Sequence, residues 1–310
     1  MFERFTIGDF EATGAKIRFR RGGDGPPLLL LHGNPLTHVS WHKVADRLAE
    51  DFTVVAAYLR GYGDSTYPDD PGENWSNHSF RAMAQDQVEL MEHLGYAEFF
   101  AAGHDRGART AHRMALDHPD RVRRVALLDI LPTHYIWTHT SKQWATSSWH
   151  WVFMIQPPDF PERMMASVPP EWYMTKKLSK AGIGLAPFSD EAFAEYVRCF
   201  TEKTIRGSCG DYRAAASIDF ELDSQDAERG SKITRPTLLL WGRQSHTGKV
   251  YGDIRKVWLR DFHTRARAMP AIVTTDPTRT APRIWRRANP HYRTVVVPWG
   301  GFRVRVLLRS

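Results

Sequence analysis

This sequence of 310 residues predicts an α/β fold: a mostly parallel sheet with helices on both faces and an inserted helical cap. Three observations carry that prediction. Over the first 130 residues, short apolar runs alternate with longer amphipathic stretches, the pattern of strands joined by crossover helices. After Leu131-Pro132 the texture becomes rich in Trp, His, Met and Pro, with Trp137, Trp144, Trp149, Trp151, Gln156-Pro157-Pro158 and Val168-Pro169-Pro170. The strand rhythm returns in the stretch Ile233-Thr234-Arg235-Pro236-Thr237-Leu238-Leu239-Leu240-Trp241-Gly242, so a separate packing unit interrupts the sheet.

Each element follows from local chemistry. Leu28–Leu31, Thr53–Ala57, Phe99–Ala102 and Val125–Leu128 are the strands, and polar loops follow them. Ser79 can cap a helix running from Phe80 to Leu94, which Gly95 ends; Arg106–Asp117 forms another before His118-Pro119. The expected organisation is a core in two parts, 1–133 and 231–270, a helical cap at 134–230, and an atypical tail at 271–310.

Composition narrows the class further. The chain has 42 Lys+Arg against 35 Asp+Glu, a net +7 that would ordinarily invite a nucleic-acid or anionic-membrane partner. Eight arginines but a single acid, Asp276, fall in 271–310, which leaves 34 basic and 34 acidic residues in 1–270. The body is neutral, so neither nucleic acid nor membrane is the expected partner. Cys199 and Cys209 form no CxxC, the start Met1-Phe2-Glu3-Arg4 lacks a basic segment followed by an apolar run, and no stretch is apolar enough to span a membrane. A cytoplasmic location is expected. With no HExxH and no phosphate-cradling loop, no metal or cofactor is implied.

The strongest chemical signal is Gly103-His104-Asp105-Arg106-Gly107, between a predicted strand and a predicted helix. A nucleophile elbow needs small residues on both sides of a strained central residue whose side chain projects above the sheet. Together with Leu31-His32-Gly33-Asn34-Pro35 and Leu59-Arg60-Gly61-Tyr62-Gly63-Asp64-Ser65, this motif resembles the α/β-hydrolase fold over roughly 1–270. Asp at the centre, where esterases carry Ser, resembles the haloalkane dehalogenase and epoxide hydrolase branches. Asp105-Arg106-Gly107 followed by Arg109 resembles the haloacetate (fluoroacetate) dehalogenases.

Arg106 and Arg109, three residues apart on the elbow helix, share a face beside Asp105 and can hold a small carboxylate over the nucleophile. Asp105 would displace halide to form an aspartyl ester, dividing one difficult substitution into two steps. The resemblance implies that His150, Trp151 and Tyr212 bind the departing halide. Ester hydrolysis needs an oxyanion hole, for which the backbone N–H groups of Asn34 and Arg106 are placed, and a base with an orienting acid. Asp129 at the end of the fourth strand suits the acid, because the alternative position after Leu240-Trp241-Gly242 reads Arg243-Gln244-Ser245.

The general base is not assigned. The family places its His in a Gly-His pair after a stretch like Arg265-Ala266-Arg267-Ala268-Met269-Pro270, where this chain reads Ala271-Ile272-Val273-Thr274. No His follows there until His291, and His246 and His263 would each need an unusual path to Asp129. Arg-rich sequence without Lys or Glu is what a GC-rich gene yields when read out of frame, so a frameshift near codon 271 is the expectation. A basic interaction tail and a diverged terminus with a relocated base are the alternatives. Tyr58 stands where relatives carry a loop acid, with a local packing effect expected.

The expected activity is hydrolytic dehalogenation of a small 2-haloacid, haloacetate to glycolate plus halide, impaired if no base is present. An epoxide hydrolase would want two activating cap tyrosines, from Tyr135, Tyr173, Tyr196 and Tyr212. A catalytically inactive binder of a small carboxylate would use Arg106 and Arg109 alone. Dimers are common among similar enzymes, which makes a homodimer one option, but the sequence does not fix the oligomeric state.

Overall fold

A computed structural model describes residues 1–179, 182–242, 245–261, 292–299 and 302–309. Its main sheet has seven strands in the order β1-β2-β4-β3-β5-β6-β7. They are β1 (Thr6–Ala12), β2 (Ala15–Gly22), β3 (Pro27–Leu31), β4 (Thr53–Ala57), β5 (Phe99–His104), β6 (Val122–Leu128) and β7 (Thr237–Leu240). From β4 through β7 all neighbours run parallel. Pro27-Leu28-Leu29-Leu30-Leu31 and Thr53-Val54-Val55-Ala56-Ala57 are almost wholly buried, because strands covered on both faces read as unbroken apolar runs.

The antiparallel pair β1–β2 at one edge was not legible as apolar runs. Its residues alternate in exposure, with Asp9, Glu11, Lys16, Arg18 and Arg20 between apolar positions such as Ile17 and Phe19, so its signal is period-two alternation and not an apolar run. The helices begin with α1 (His42–Leu48), α2 (Phe80–His93) and α3 (Arg106–Asp117). Ser79 accepts from the Ala82 N–H at the start of α2, and Gly95, with φ 87°, follows its end, as the sequence predicts.

Between β6 and β7 run eight helices among the described residues: α4 (Thr133–Thr138), α5 (Lys142–Ser147), α6 (Trp149–Met154), α7 (Phe160–Ala166), α8 (Pro170–Leu178), α9 (Asp190–Arg198), α10 (Glu202–Ala216) and α11 (Ile218–Arg229). The tryptophan-rich texture becomes their shared core. Trp137, Trp144 and Trp151 meet edge to face with ring centroids 5.6 to 5.8 Å apart. After β7 come α12 (His246–Tyr251) and α13 (Arg255–Asp261). β8 (Tyr292–Trp299) and β9 (Phe302–Arg309) pair antiparallel as a separate two-stranded sheet. The expected junction at codon 271 and the stretch 265–274 lie outside the described residues. Among those described, no helix is long and apolar enough to cross a membrane.

The register explains where chemistry gathers. Leu31 pairs with Gly103, His104 with Leu128, and Leu128 with Leu240, so the carboxyl ends of β3, β5, β6 and β7 lie side by side. Loops leaving those ends are the usual ligand-binding rim of a parallel sheet.

Candidate active site

Asp105 caps the carboxyl end of β5 with φ 51° and ψ −116°, a conformation that costs a non-glycine residue about 1–3 kcal/mol. Close packing enforces it. A Cβ on Gly103 would strike the Gly107 backbone, and one on Gly107 would lie 2.5 Å from the His32 carbonyl oxygen, which already accepts the Gly107 N–H. Gly33 is equally constrained, since a Cβ there would come within 2.5 Å of the Asp105 Cβ. That approach lets the Asn34 N–H donate to Asp105 Oδ1 at 2.9 Å. Burial pushes the Asp105 carboxyl up, but His104, Arg106, the Asn34 N–H and Arg109 together hold it below the ordinary aspartate value.

Arg106 and Arg109 both lie on the buried face of α3, yet their surroundings differ. Arg106 is fully buried against Asp211 of α10: Nε donates to Oδ2 at 2.8 Å, while Nη2 reaches Oδ1 and the Asp211 carbonyl. Its guanidinium also lies 4.1 Å from the Tyr212 ring centroid and 4.6 Å from that of Phe80. Burial alone would lower the Arg106 pKa, but Asp211 more than reverses this. Arg109 has neutral hydrogen-bond partners, donating from Nη1 to the Leu131 carbonyl at 2.9 Å and to Thr133 Oγ1 at 3.0 Å. Burial, then the neighbouring Arg106 cation, pull it down to about 10, against a weaker upward pull from Asp105 and Asp223. Of the two elbow arginines, it is Arg106 that a buried acid answers.

The three aromatic residues expected around the halide come together. Tyr212 lies 5.5 Å from Trp151 and 5.6 Å from His150 between ring centroids, and Arg109 sits over Trp151 at 4.8 Å. Burial, followed by the Asp105 charge, keeps the Tyr212 hydroxyl protonated. Among the described residues, Arg106 Nη1, Arg109 Nε and the Tyr212 hydroxyl are buried without a hydrogen-bond partner. Buried orphan donors are costly, which makes their grouping beside one carboxylate informative.

Asp129 has φ 58° at the end of β6; its N–H donates to the Leu240 carbonyl at 2.7 Å. Ser245 Oγ donates to its Oδ1 at 2.6 Å. Burial raises the Asp129 pKa despite Ser245, His104 and the Gly242 N–H, and Asp105 adds to the rise. His246 is not aimed at this carboxylate, since its ring nitrogens meet Ser147 Oγ at 2.8 Å and Ser148 Oγ at 2.9 Å. His263 and His291 lie outside the described residues. Tyr212 lies against Arg106, whereas Tyr173 stacks on Phe200, Tyr196 sits edge-on to Phe188 and Tyr135 stacks on His139. Tyr58 is buried edge-on to His38 at 4.4 Å and donates to Glu195 at 2.9 Å, a link from β4 to α9.

Sequence reasoning missed Asp211, Tyr62 and Ser245. Tyr62 donates to Asp211 Oδ2 at 2.6 Å and lies 3.4 Å from Asn34 Nδ2, so it joins the arginine pair to the loop over Asp105. One signal was available: two buried arginines on an elbow need a counter-charge, and Asp211 is adjacent to Tyr212.

A sheet of this topology, with an aspartate at a strand–helix elbow, defines an α/β hydrolase. The chain belongs to the α/β-hydrolase fold family, whose model matches residues 26–259. It is 41% identical over 259 residues to a fluoroacetate dehalogenase of a Burkholderia species, covering 83% of this chain and 84% of that protein. A soluble epoxide hydrolase of Corynebacterium sp. (strain C12) is 32% identical over 266 residues, covering 79% and 82%. An α/β hydrolase of Nostoc sp PCC 7120 superposes with a TM-score of 0.81 at 47% identity, covering 87% of this chain and 92% of that one.

Proposed function

We propose that this hydrolase removes halide from small 2-haloacids through an ester on Asp105. The carrying observation is the group of unpartnered buried donors, Arg106 Nη1, Arg109 Nε and Tyr212 Oη, around a carboxylate kept ionised. A neutral substrate leaves Arg109 without a hydrogen-bonded anion and Arg106 Nη1 without an acceptor; a haloacid supplies a carboxylate for both and a halide for Tyr212, Trp151 and His150.

In the first step Asp105 Oδ2 attacks the carbon bearing the halogen. The new C–O bond forms as the carbon–halogen bond breaks, and the halide leaves with its electron pair toward the cap aromatics. Oδ1 becomes the ester carbonyl oxygen, and the Asn34 N–H at 2.9 Å, joined by the Arg106 N–H, stabilises negative charge there during hydrolysis. Water attack at that carbonyl carbon needs a base, which Asp129 would orient; the described residues offer no histidine hydrogen-bonded to Asp129. The helices between β6 and β7 act as the cap that closes over this site.

The test is incubation with chloroacetate, counting halide released per chain and locating any mass gain by peptide mapping. Repeated turnover with no lasting adduct shows a working base. One halide per chain with an ester on Asp105 shows a stalled enzyme, and reading the DNA in the other two frames after codon 270 for a Gly-His pair then tests the frameshift. No halide and no adduct overturn the reading. Styrene oxide in a parallel reaction tests epoxide opening, the reading favoured by the epoxide hydrolase relatives.

A further inference from the structure

The two elbow arginines are unequal in one respect that their sequence spacing hides. Arg106 has a buried carboxylate in bidentate contact, and Arg109 has no hydrogen-bonded carboxylate among the described residues. Asp211 is itself fully buried and held from a second side by Tyr62 Oη at 2.6 Å. Its neighbour Asp219 accepts the Phe80 N–H at 3.0 Å, and burial with the charges of Asp211 and Asp223 pushes that carboxyl well above the ordinary aspartate value. Asp211 is therefore the charge that answers Arg106.

We propose that Asp211 is a positioning and specificity residue: it neutralises Arg106 and fixes the aim of its remaining nitrogen, which leaves Arg109 as the charge that selects an anionic substrate. This rests on the haloacid reading above and assigns different work to the two arginines. With Nε and Nη2 occupied, Arg106 can turn only Nη1 toward a ligand, and the Phe80 and Tyr212 rings pin its plane from two directions. Such a group contributes direction at low net charge. Arg109 contributes net charge, because its hydrogen-bond partners among the described residues are a carbonyl and a hydroxyl. Through Tyr62, the same aspartate also steadies Asn34 beside the Asp105 carboxylate.

The experiment measures first-turnover ester formation on Asp105, which needs no base, with chloroacetate and its neutral analogue chloroacetamide. Adducts are located by peptide mapping so that cysteine alkylation is not counted. Asp211→Asn frees a positive charge and loosens its aim, so the maximal rate with chloroacetate should fall about tenfold while its half-saturating concentration falls or holds. A generally damaged site would instead raise that concentration. Arg109→Gln should lower the preference for chloroacetate over chloroacetamide at least about tenfold. If Asp211→Asn does not fold, Tyr62→Phe answers the same question: a lower maximal rate at unchanged half-saturation supports the proposal. A wild-type rate in whichever variant folds, a raised half-saturating concentration, or an unchanged preference in Arg109→Gln overturns it. If the wild type forms no ester with chloroacetate, the haloacid reading itself has failed; if it does and Asp211→Asn matches it, only this inference has.

Discussion

Two buried arginine–aspartate pairs are tied to the loop after β4, one through Arg60 and one through Tyr62, and they are built alike but finished differently. Arg60 donates to Asp86 through Nε at 2.7 Å and Nη2 at 2.6 Å, and its third nitrogen meets the Asn77 carbonyl at 2.8 Å. Arg106 grips Asp211 through the same two nitrogens, but its third has no partner among the described residues. Every direction of the first pair is spent on joining a loop to α2. The second keeps one donor in reserve beside the Asp105 carboxylate, at a desolvation cost that a fold alone does not require. Completeness of hydrogen bonding, more than burial or charge, separates a structural ion pair from one that serves a site.

The largest expected effect breaks the structural member. Burial pushes Asp86 up to about 6 even against Arg60, so the pair contributes little net stability, yet removing one partner strands the other charge. Asp86→Asn should cost about 3–5 kcal/mol in urea unfolding and leave the chloroacetate preference of the folded fraction unchanged. A loss under about 1 kcal/mol would show that water reaches this pair and erase the contrast.

Next in size is Arg109, whose charge no hydrogen-bonded acid among the described residues answers. Arg109→Gln should weaken saturation by chloroacetate by about ten- to a hundredfold and leave the melting temperature nearly intact, since its neutral acceptors Leu131 and Thr133 can bond an amide. Equal weakening toward chloroacetamide would mean that Arg109 shapes the pocket and does not read charge.

The smallest effect concerns acidity. Asp105 is held below the ordinary aspartate value of 3.8 and Asp129 above it. Protonation silences a carboxylate as pH falls through its own pKa, so Asp129 should be lost first. Halide release in the first turnover should stay level as pH drops toward 3.8, whereas any subsequent ester hydrolysis should fail at higher pH. Rapid-quench measurement of both steps across this range checks the order, and coincident loss would remove the distinction between the two carboxylates.

The elbow was legible because its causes are local. Gly103 to Gly107 sits between an apolar run and an amphipathic one, and Arg106 and Arg109 follow at a spacing that shares a helix face. The β1–β2 hairpin was less legible, because its signal is a two-residue alternation without an apolar run, and its place at the sheet edge is set by pairing with β4. The stretch Arg243-Gln244-Ser245 offers no carboxylate, yet the Ser245 hydroxyl serves Asp129 from the end of the neighbouring strand.

The sequence by itself determined the buried parallel strands, the elbow, the neutral body and its Arg-rich end, since each depends on residues close together in the chain. Tertiary structure alone decided which arginine is neutralised. Arg106 and Asp211 are 105 positions apart and meet only where α10 folds back over the elbow. Which donor is left free depends on distances of a few tenths of an ångström, to which periodicity and spacing are blind.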